Sequence, residues 1–341
     1  MIKTALTYDD IQLVPAYSDI ESRSAINLNT QLSKNYKLKI PLMASPMDTV
    51  CENEMAIAMA HLGGVGCIHR FMTIPAQQDE VKHVSSNLNS VYPLHAQTPI
   101  MAAIGANGDY LERAQELVKV GANVILIDVA HGHHIYVKTA IEQLKKTLPS
   151  HVDIIAGNVA TAQGAQDLES WGADAIRVGI GGGSLCSTRV KTGFGVPNIT
   201  SLEDAARAVN VPVIACGGIR SSGDIAKALA VGASSVILGS LLAGTKEAPG
   251  QIIENASGLY KRYRGAASLE TKITHNQHQR NVEGESTVVP FKGGVKFIIE
   301  GLEDGLRSAL SYAGARRLSE FAPEYVMVTN AGMNEAKPHL L

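Results

Sequence analysis

The chain has 341 residues, a net charge of −2 and 45% hydrophobic residues, which is enough apolar material for a large core. This near-neutral balance predicts no nucleic-acid partner and no anionic membrane surface, and no apolar run approaches the roughly 18 residues that cross a bilayer. The N-terminal segment lacks the apolar region of a secretory signal, and the four cysteines (Cys51, Cys67, Cys186 and Cys216) show no CxxC spacing. We therefore expect a cytoplasmic protein with reduced cysteines and no zinc site.

Eight short apolar runs alternate with helical patterns along the chain. They cover residues 39–45, 63–69, 99–105, 123–130, 153–160, 175–180, 211–218 and 234–240. The runs are continuous rather than alternating, as in parallel strands that are buried on both faces. Eight β/α alternations with this spacing predict one α/β domain, a (β/α)8 or TIM barrel over residues 1–341, with a doubly wound open sheet as the alternative.

Two segments toward the C-terminus do not fit this repeat. Residues 256–293 are polar and rich in Gly, His, Asn and Gln, and we interpret them as a mobile flap after the eighth strand, either a lid or a disordered loop. Residues 294–314 have apolar positions at helical spacing, so they are predicted to form a closing helix.

Polar residues and glycines gather where the predicted strands end. Chemistry in a barrel takes place on the loops that follow the strand C-termini, which is where Asp48, Arg70, Asp128 and Asn158 occur. The seventh and eighth strands end in glycine-rich segments, the usual phosphate-binding region of a barrel. The candidate phosphate ligands, for which tight turns are the alternative role, are Gly217, Gly218, Gly239 and Ser240.

One cysteine lies in the glycine-rich segment GIGGGSLCSTRVKTGFG, residues 179–195. Glycine costs conformational entropy on folding, so this density indicates close approach of the backbone to a ligand. The context predicts that Cys186 is an exposed nucleophile, and Arg189 and Lys191 are expected to favour its thiolate.

Two other features receive a less specific interpretation. Cys51 and Cys67 lie in or beside apolar runs and are interpreted as packing residues. The segment HGHH, residues 131–134, is a metal-binding pattern without an obvious further ligand set. We interpret it instead as ordering the end of the fourth strand around Asp128.

The chain resembles the IMP dehydrogenase and GMP reductase family from about residue 4 to 315, and nine segments carry the resemblance. They are LTYDDIQLVPA, ASPMDTV, GCIHR, DVAHGH, IAGNVAT, VGIGGGSLCSTR, GGIRSSGDIAKALAVGA, LGSLLAGT and YKRYRG. The resemblance implies a (β/α)8 barrel, a purine nucleotide bound by its phosphate, a nicotinamide cofactor, a covalent cysteine adduct at purine C2 and a homotetramer. The CBS-domain insertion of many family members is absent, since residues 70–98 alone join the second and third predicted strands.

The resemblance also implies roles for individual residues. Cys186 matches the cysteine that attacks C2, and Thr188 and Glu283 match the residues that manage protons. The resemblance implies nucleotide contacts at Ser184, Gly218, Gly239, Ser240 and Tyr263. We predict further nucleotide contacts at Asp48, Cys216, Gly217, Arg280 and Gly284. The implied contacts of the nicotinamide cofactor are Arg70, Asp128 and Asn158. The implied ligands of a monovalent cation such as K+ are the carbonyls of Gly181, Gly183 and Cys186.

The flap distinguishes the two reactions that the family carries out. Dehydrogenases have an Arg-Tyr pair there for hydrolysis of the adduct to XMP, whereas this flap has none, and RNVEGE and KTGFG resemble the reductases. The resemblance therefore implies NADPH-dependent reductive deamination of GMP to IMP and ammonia. The alternatives are a CBS-less IMP dehydrogenase that uses NAD, a relative acting on an altered purine nucleotide, and a non-catalytic nucleotide-binding regulator.

The chain departs from the family pattern at several site positions. Three glycines stand where the family has Gly-Pro-Gly, RGAAS lacks the family's Met, and ASPMDTV is closer to the dehydrogenases. The seventh strand ends in ACGG, where the family has an Asp that binds the ribose hydroxyls. Because the Cys216 thiol is a weak acceptor, we expect weak ribose discrimination unless Ser45 or Asp48 contacts the sugar instead.

Overall fold

The structure, a computed structural model, describes residues 3–91, 98–275, 280 and 282–335. Its strands are β1 Ile11–Leu13, β2 Thr30–Gln31, β3 Lys37–Leu38, β4 Leu42–Ala44, β5 Val65–Ile68, β6 Met101–Ile104, β7 Val124–Asp128, β8 Asp153–Val159, β9 Ala175–Val178, β10 Val213–Cys216, β11 Ser235–Leu238, β12 Ile253–Asn255, β13 Gly258–Arg264, β14 Ser286–Pro290 and β15 Tyr325–Met327. Its α-helices are α1 Asn53–His61, α2 Ile74–Val91, α3 Tyr110–Lys119, α4 Ile135–Thr147, α5 Ala162–Ser170, α6 Thr188–Thr192, α7 Asn198–Ala208, α8 Ser222–Ala230, α9 Leu269–Thr274, α10 Val295–Tyr312 and α11 Asn330–Glu335.

Eight parallel strands close into a barrel. They follow one another from β4 to β11, and β11 pairs back to β4. Each of the eight predicted apolar runs contains one of these strands, so the TIM-barrel prediction is confirmed and the open-sheet alternative is wrong. Strands such as β5 and β6 are buried along their whole length, because the barrel interior covers one face and the surrounding helices cover the other.

The barrel interior is filled with side chains and is closed at one end. The inward-facing apolar cluster includes Met43, Val65, Met101, Leu126, Ile155, Ile214 and Ile237. The hairpin β2–β3 adds Leu32 to this cluster, and the Ser33 hydroxyl donates to the carboxylate of Asp153, the first residue of β8. The hairpin therefore covers the N-terminal end of the strands, which leaves the C-terminal end for a binding site.

The helices take the places that the sequence pattern predicts. Helix α3 is followed by Gly121 at φ +114°, a conformation that favours glycine after a helix. Helix α10 confirms the closing helix predicted for residues 294–314, and it contacts α8. In the part of the chain that the structure describes, no helix is long and apolar enough to span a membrane.

The predicted flap is an ordered element where it is described. Strands β12, β13 and β14 form an antiparallel sheet, and α9 lies between β13 and β14 in the chain. The disordered-loop alternative is therefore wrong for this part, while residues 276–279 and 281 of the flap lie outside the described residues. An isolated bridge pairs Gly284 of the flap with Cys186, so the flap meets the C-terminal end of the barrel.

Candidate active site

A cavity of about 300 Å³ opens at the C-terminal ends of the barrel strands. Most of the predicted site residues line it, although they come from every part of the chain. The predicted residues in its lining are Arg70, Asp128, Asn158, Gly181, Gly183, Ser184, Cys186, Thr188, Cys216, Gly217, Gly218, Gly239, Ser240, Tyr263, Glu283 and Gly284.

The three predicted catalytic residues form one hydrogen-bonded series. The exposed Cys186 thiol donates to Thr188 Oγ1 over 3.2 Å, and that hydroxyl donates to Glu283 Oε2 over 2.8 Å. Thr188 is the first residue of α6, two positions after the cysteine, whereas Glu283 lies 95 residues further along the chain. The series joins a nucleophile to a carboxylate through a hydroxyl that can pass a proton in either direction.

Backbone hydrogen bonds join the flap to the cysteine loop, residues 179–195, and bring Glu283 next to Thr188. The Ser187 N–H donates to the Glu283 carbonyl over 3.0 Å, and the Glu285 N–H donates to the Leu185 carbonyl over 2.9 Å. Lys191 adds a side-chain bond from Nζ to the Val282 carbonyl over 2.8 Å. The distance along the chain is therefore bridged by a short ladder that sets the Glu283 side chain against Thr188.

The glycine-rich ends of β10 and β11 form another side of the cavity. Gly217 has φ +91°, and a Cβ there would lie 2.9 Å from backbone atoms of Gly182 and Gly183, so only glycine allows the two loops to approach this closely. The turn after β11 begins at Gly239, whose carbonyl accepts from the N–H groups of residues 242 and 243. Such a first turn leaves N–H groups for an anion.

Two hydroxyls lie beside these loops. Ser184 Oγ and the Tyr263 hydroxyl are 3.0 Å apart. Burial raises the pKa of Tyr263, an effect that its bond to Ser184 only partly offsets, so the phenol keeps its proton at neutral pH. Lys292 Nζ donates to the carbonyls of Ser240 and Leu241 over 2.6 and 3.1 Å and so stabilises the turn that contains them. The sequence analysis did not identify this lysine.

A buried ion pair forms part of the cavity lining. Arg177 of β9 is 6% exposed and pairs with Asp128 at the end of β7. Burial lowers the pKa of Arg177, but the neighbouring Cys216 and Asp128 outweigh this effect and raise it, so the guanidinium stays charged. Sequence reasoning missed Arg177, although a charged residue inside the apolar run AIRVGI was a signal for it.

Asn158 and Arg70 flank this ion pair. The register between β8 and β9 shifts between Gly157 and Val159, which leaves Asn158 as an extra residue whose Nδ2 donates to the Gly179 carbonyl over 2.6 Å. Arg70 Nε donates to the backbone carbonyl of Asp128 over 3.3 Å. A second cavity, of about 870 Å³, shares Arg70 and Phe71 with the first, so the two adjoin.

Two predicted contacts do not reach the cavity. Asp48 does not line it, because its buried carboxylate is bonded to Arg264 over 2.7 Å and to His275 over 2.8 Å, both of the flap region. Arg280 is exposed and absent from the lining, and its backbone carbonyl accepts from Lys272. The role of Asp48 seen here is to fix the flap to the loop after β4.

The predicted support of the thiolate by Arg189 and Lys191 is wrong. The Arg189 guanidinium donates to the carbonyls of Ile180 and Val196 over 3.1 and 2.7 Å, and Lys191 is directed at the flap carbonyl already described. Both cations therefore hold backbone in place. The hydrogen-bond partner of the Cys186 sulfur is Thr188 instead.

The HGHH segment, predicted to order the strand end around Asp128, binds the neighbouring strand β8 through its backbone, since the Gly132 N–H donates to the Asn158 carbonyl over 2.7 Å. His133 Nε2 lies 2.7 Å from the carboxylate of Asp167 on α5, and His134 accepts from the Tyr136 N–H at the start of α4. Among the residues that the structure describes, no group of three or more His, Cys, Asp or Glu is placed to hold a metal ion. Cys51 and Cys67 are fully buried, which confirms them as packing residues.

Fold and cavity together define a class of protein: a TIM barrel with an exposed cysteine and glycine-rich strand ends around a pocket of nucleotide size. A family model described as "IMP dehydrogenase / GMP reductase domain" matches residues 5–339. The chain belongs to this family, whose members are oxidoreductases acting on purine nucleotides with NAD(P).

Some of the similar proteins are IMP dehydrogenases and others are GMP reductases. The chain is 38% identical to inosine-5′-monophosphate dehydrogenase of Cryptosporidium parvum, with 99% of the chain and 96% of the relative covered. It is 31% identical to GMP reductase of Leishmania major, with coverage of 98% and 96%. The likeness alone therefore does not select one direction of the chemistry.

A solved structure shares the whole fold. It is GMP reductase from Trypanosoma brucei in complex with guanosine 5′-monophosphate, with a TM-score of 0.91, 30% identity, and 100% and 98% of the two chains covered. The alignment with inosine-5′-monophosphate dehydrogenase of Nitrosopumilus maritimus extends over 469 positions, although this chain has 341 residues. The difference agrees with the absence of an inserted domain here.

Proposed function

We propose that this protein catalyses the NADPH-dependent reductive deamination of GMP to IMP and ammonia through a covalent adduct of Cys186 at purine C2. The observation that carries the proposal is the hydrogen-bonded series from Cys186 through Thr188 to Glu283. Loss of ammonia requires a proton at the departing amine, and a carboxylate linked to the nucleophile through a hydroxyl can supply it.

The residues of the series account for the first half of the reaction. The thiol proton passes to Thr188 Oγ1 as Thr188 passes its own proton to Glu283, and the sulfur forms a bond to C2 while the C2–N3 π pair moves onto N3. The proton then returns through Thr188 to the amino group, which leaves with the C2–N bonding pair as ammonia. The sulfur stays bonded to C2, and the C2–N3 double bond is restored.

The second half of the reaction releases the product. NADPH, when bound, supplies the hydride that reaches C2. The C2–N3 π pair moves onto N3 as the hydrogen binds C2, and it re-forms the double bond as the sulfur leaves with the C2–S bonding pair. Cys186 is then reprotonated through the same series of side chains. The balance is GMP, NADPH and two protons in, and IMP, NADP+ and ammonium out.

The two adjoining cavities, which share Arg70 and Phe71, are where we place an extended nicotinamide cofactor. Arg70 lines both cavities, Asp128 and Asn158 line the first, and these three polar groups would hold the nicotinamide end. For a monovalent cation, the carbonyls of Gly181, Gly183 and Cys186 supply oxygen ligands of a suitable kind, and the Gly183 carbonyl already accepts from the Cys186 N–H. Turnover in KCl and in tetramethylammonium chloride at equal ionic strength tests that part of the proposal.

The alternative direction is oxidation of IMP to XMP with NAD. It is favoured by the 38% identity to a dehydrogenase, and it uses the same cysteine adduct. The flap argues against it, since residues 273–294 contain no Arg-Tyr pair to activate water.

One assay separates the two directions. Purified protein is incubated with GMP and NADPH, and in parallel with IMP and NAD, and the nucleotides are identified by chromatography and mass spectrometry. We expect IMP and ammonia in the first reaction. Formation of XMP in the second, with no consumption of GMP in the first, would contradict the proposal.

We also propose that the chain forms a homotetramer, as the family resemblance implies. Large exposed apolar side chains support an interface, among them Val190 and Phe194 on the cysteine loop, which are 89% and 78% exposed. Light scattering on the eluted protein should give four times the chain mass of 36.1 kDa.

A further inference from the structure

The position of the sugar follows from the two ends of the cavity. In a nucleoside monophosphate the sugar separates the phosphate from the base. The sequence analysis predicts the phosphate at Gly217, Gly218 and Ser240, and the proposed function places C2 of the base at Cys186. Cys216 directly precedes Gly217 at the end of β10 and lines the same cavity, so it lies along the intervening span.

The carboxylates near this span are already engaged. Nucleotide sites commonly recognise ribose through a carboxylate that accepts a hydrogen bond from a sugar hydroxyl. In the lining of the cavity, within the described residues, the carboxylates are Asp128 and Glu283. Asp128 pairs with Arg177, and Glu283 accepts from Thr188. Asp48, the other carboxylate that the sequence analysis considered as a sugar contact, is bonded to Arg264 and His275 of the flap.

Cys216 itself offers little to a sugar hydroxyl. A thiol is a weak donor and a weak acceptor. The Arg177 guanidinium, whose pKa is raised by the neighbouring Cys216 and Asp128, lines the same cavity and is paired with the Asp128 carboxylate. Ser45, which is 6% exposed, contributes a single neutral hydroxyl to the lining.

We propose that the sugar subsite does not read the 2′-hydroxyl, so that the protein accepts 2′-deoxy purine nucleoside monophosphates about as well as ribonucleotides. A site built to bond a substrate hydroxyl rejects the analogue that lacks it by roughly 10,000-fold or more. Here the kcat/KM values for GMP and dGMP should differ by less than about tenfold, because no strong hydrogen bond is lost with the hydroxyl. The inference deepens the proposed function and rests on it for the placement of the nucleotide.

The test compares kcat/KM for GMP and dGMP in the wild type and three variants. Cys216→Asp introduces a carboxylate beside Arg177 and should raise the preference for GMP at least about tenfold. Cys216→Ser keeps a small neutral side chain and should leave the ratio near that of the wild type. Ser45→Ala should also leave it unchanged. Circular dichroism and thermal unfolding establish that each variant is folded.

The outcomes that overturn this inference differ from those that overturn the proposed function. A wild-type preference for GMP above about tenfold, a Cys216→Asp ratio equal to the wild type, or a ratio changed by Ser45→Ala would show that the hydroxyl is read by another group. Absence of GMP turnover would contradict the reductase proposal instead. The ratio is then measured as IMP against dIMP with NAD, or, without any turnover, as calorimetric Kd values for GMP and dGMP, with the same tenfold criterion.

Discussion

Cys186 differs from the other three cysteines in its surroundings. Its side chain is exposed and bonded to Thr188, whereas Cys51 and Cys67 are fully buried and Cys216 is partly buried. Burial raises the pKa values of Cys51 and Cys67, so their thiolates are scarce in the folded protein. Exposure and a hydroxyl partner, rather than neighbouring cations, therefore distinguish Cys186, the proposed nucleophile, from the other cysteines.

Replacement of the nucleophile should separate binding from chemistry. We expect Cys186→Ser to lower kcat at least about 1,000-fold, because an alcohol is a far weaker nucleophile than a thiolate. The Kd for GMP should stay within about threefold of the wild type, since the phosphate end of the pocket is untouched. Steady-state kinetics and calorimetry measure both, and turnover near the wild-type rate would exclude a covalent adduct at this residue.

Removal of the Glu283 charge, at the end of the hydrogen-bonded series, should slow ammonia release. We expect Glu283→Gln to lower kcat by about 100-fold or more while KM for GMP changes little, because a general acid contributes about 100- to 10,000-fold. Glu285 is the matched control, since it carries the same charge two positions away and is exposed.

Ammonia release is followed directly in a coupled assay, with Glu285→Gln in parallel. If both variants retain the wild-type rate, the series of Cys186, Thr188 and Glu283 does not carry the proton. If both lose activity equally, the loss comes from the negative charge of the flap rather than from the relay.

At the level of the element, the glycines of the cysteine loop make room for Arg189. A Cβ at Gly181 would lie 2.4 Å from Arg189 Cγ, and a Cβ at Gly195 would lie 2.6 Å from Arg189 Nε. The guanidinium between them bonds the Ile180 and Val196 carbonyls and so joins the two ends of the loop. Glycine is therefore required at these positions to make room for the Arg189 side chain, in addition to any close approach to a ligand.

Loss of this guanidinium should disturb the position of the nucleophile more than the affinity for nucleotide. We expect Arg189→Ala to lower kcat about 10- to 100-fold with KM within about threefold, because small misplacements of reacting groups cost up to about 100-fold. Added guanidinium chloride at millimolar concentration should restore part of the rate. Arg207→Ala on the exposed face of α7 is the control, and an equal loss there would remove the specific role of Arg189.

At the level of the whole molecule, one buried ion pair links neighbouring parts of the barrel. Arg177 and Asp128 come from β9 and β7, on either side of β8, and both side chains are largely buried. Gly157 of β8 permits this arrangement, since a Cβ there would lie 2.7 Å from Arg177 Cβ. The pair therefore stabilises the barrel and also forms part of the cavity lining.

Breaking the pair from one side should be costly. We expect Arg177→Met to lower the free energy of unfolding by about 3–5 kcal/mol, because it leaves the Asp128 carboxylate without its buried partner. The double variant with Asp128→Asn should recover much of that loss. Urea unfolding monitored by circular dichroism measures both, and a change below about 1 kcal/mol in the single variant would show that water compensates Asp128.

The four cysteines should report on the fold as a whole. In the native protein iodoacetamide should modify Cys186 first, while Cys51 and Cys67 react only after unfolding in urea, because burial keeps them protonated and inaccessible. Peptide mass spectrometry over time measures the order. Early labelling of Cys51 or Cys67 would mean that the barrel opens locally around them.

The sequence by itself determined the fold. Every barrel strand lies inside a predicted apolar run, and the closing helix lies at its predicted place, because continuous apolar runs and helical periodicity are local properties of the chain. The glycine-rich strand ends and the exposed cysteine were also evident, since glycine density and flanking residues are read directly from neighbours in the chain.

Only the tertiary structure decided which polar side chains meet. Asp48 and Asp128 both follow barrel strands, yet Asp48 bonds Arg264 and His275 of the flap region, and Asp128 bonds Arg177. Arg189 lies three residues from Cys186 but donates to carbonyls, while Glu283, 95 residues beyond Thr188, accepts its hydrogen bond. The physical reason is that the direction of a charged side chain depends on partners that folding brings from distant segments, and no local pattern in the sequence encodes those distances.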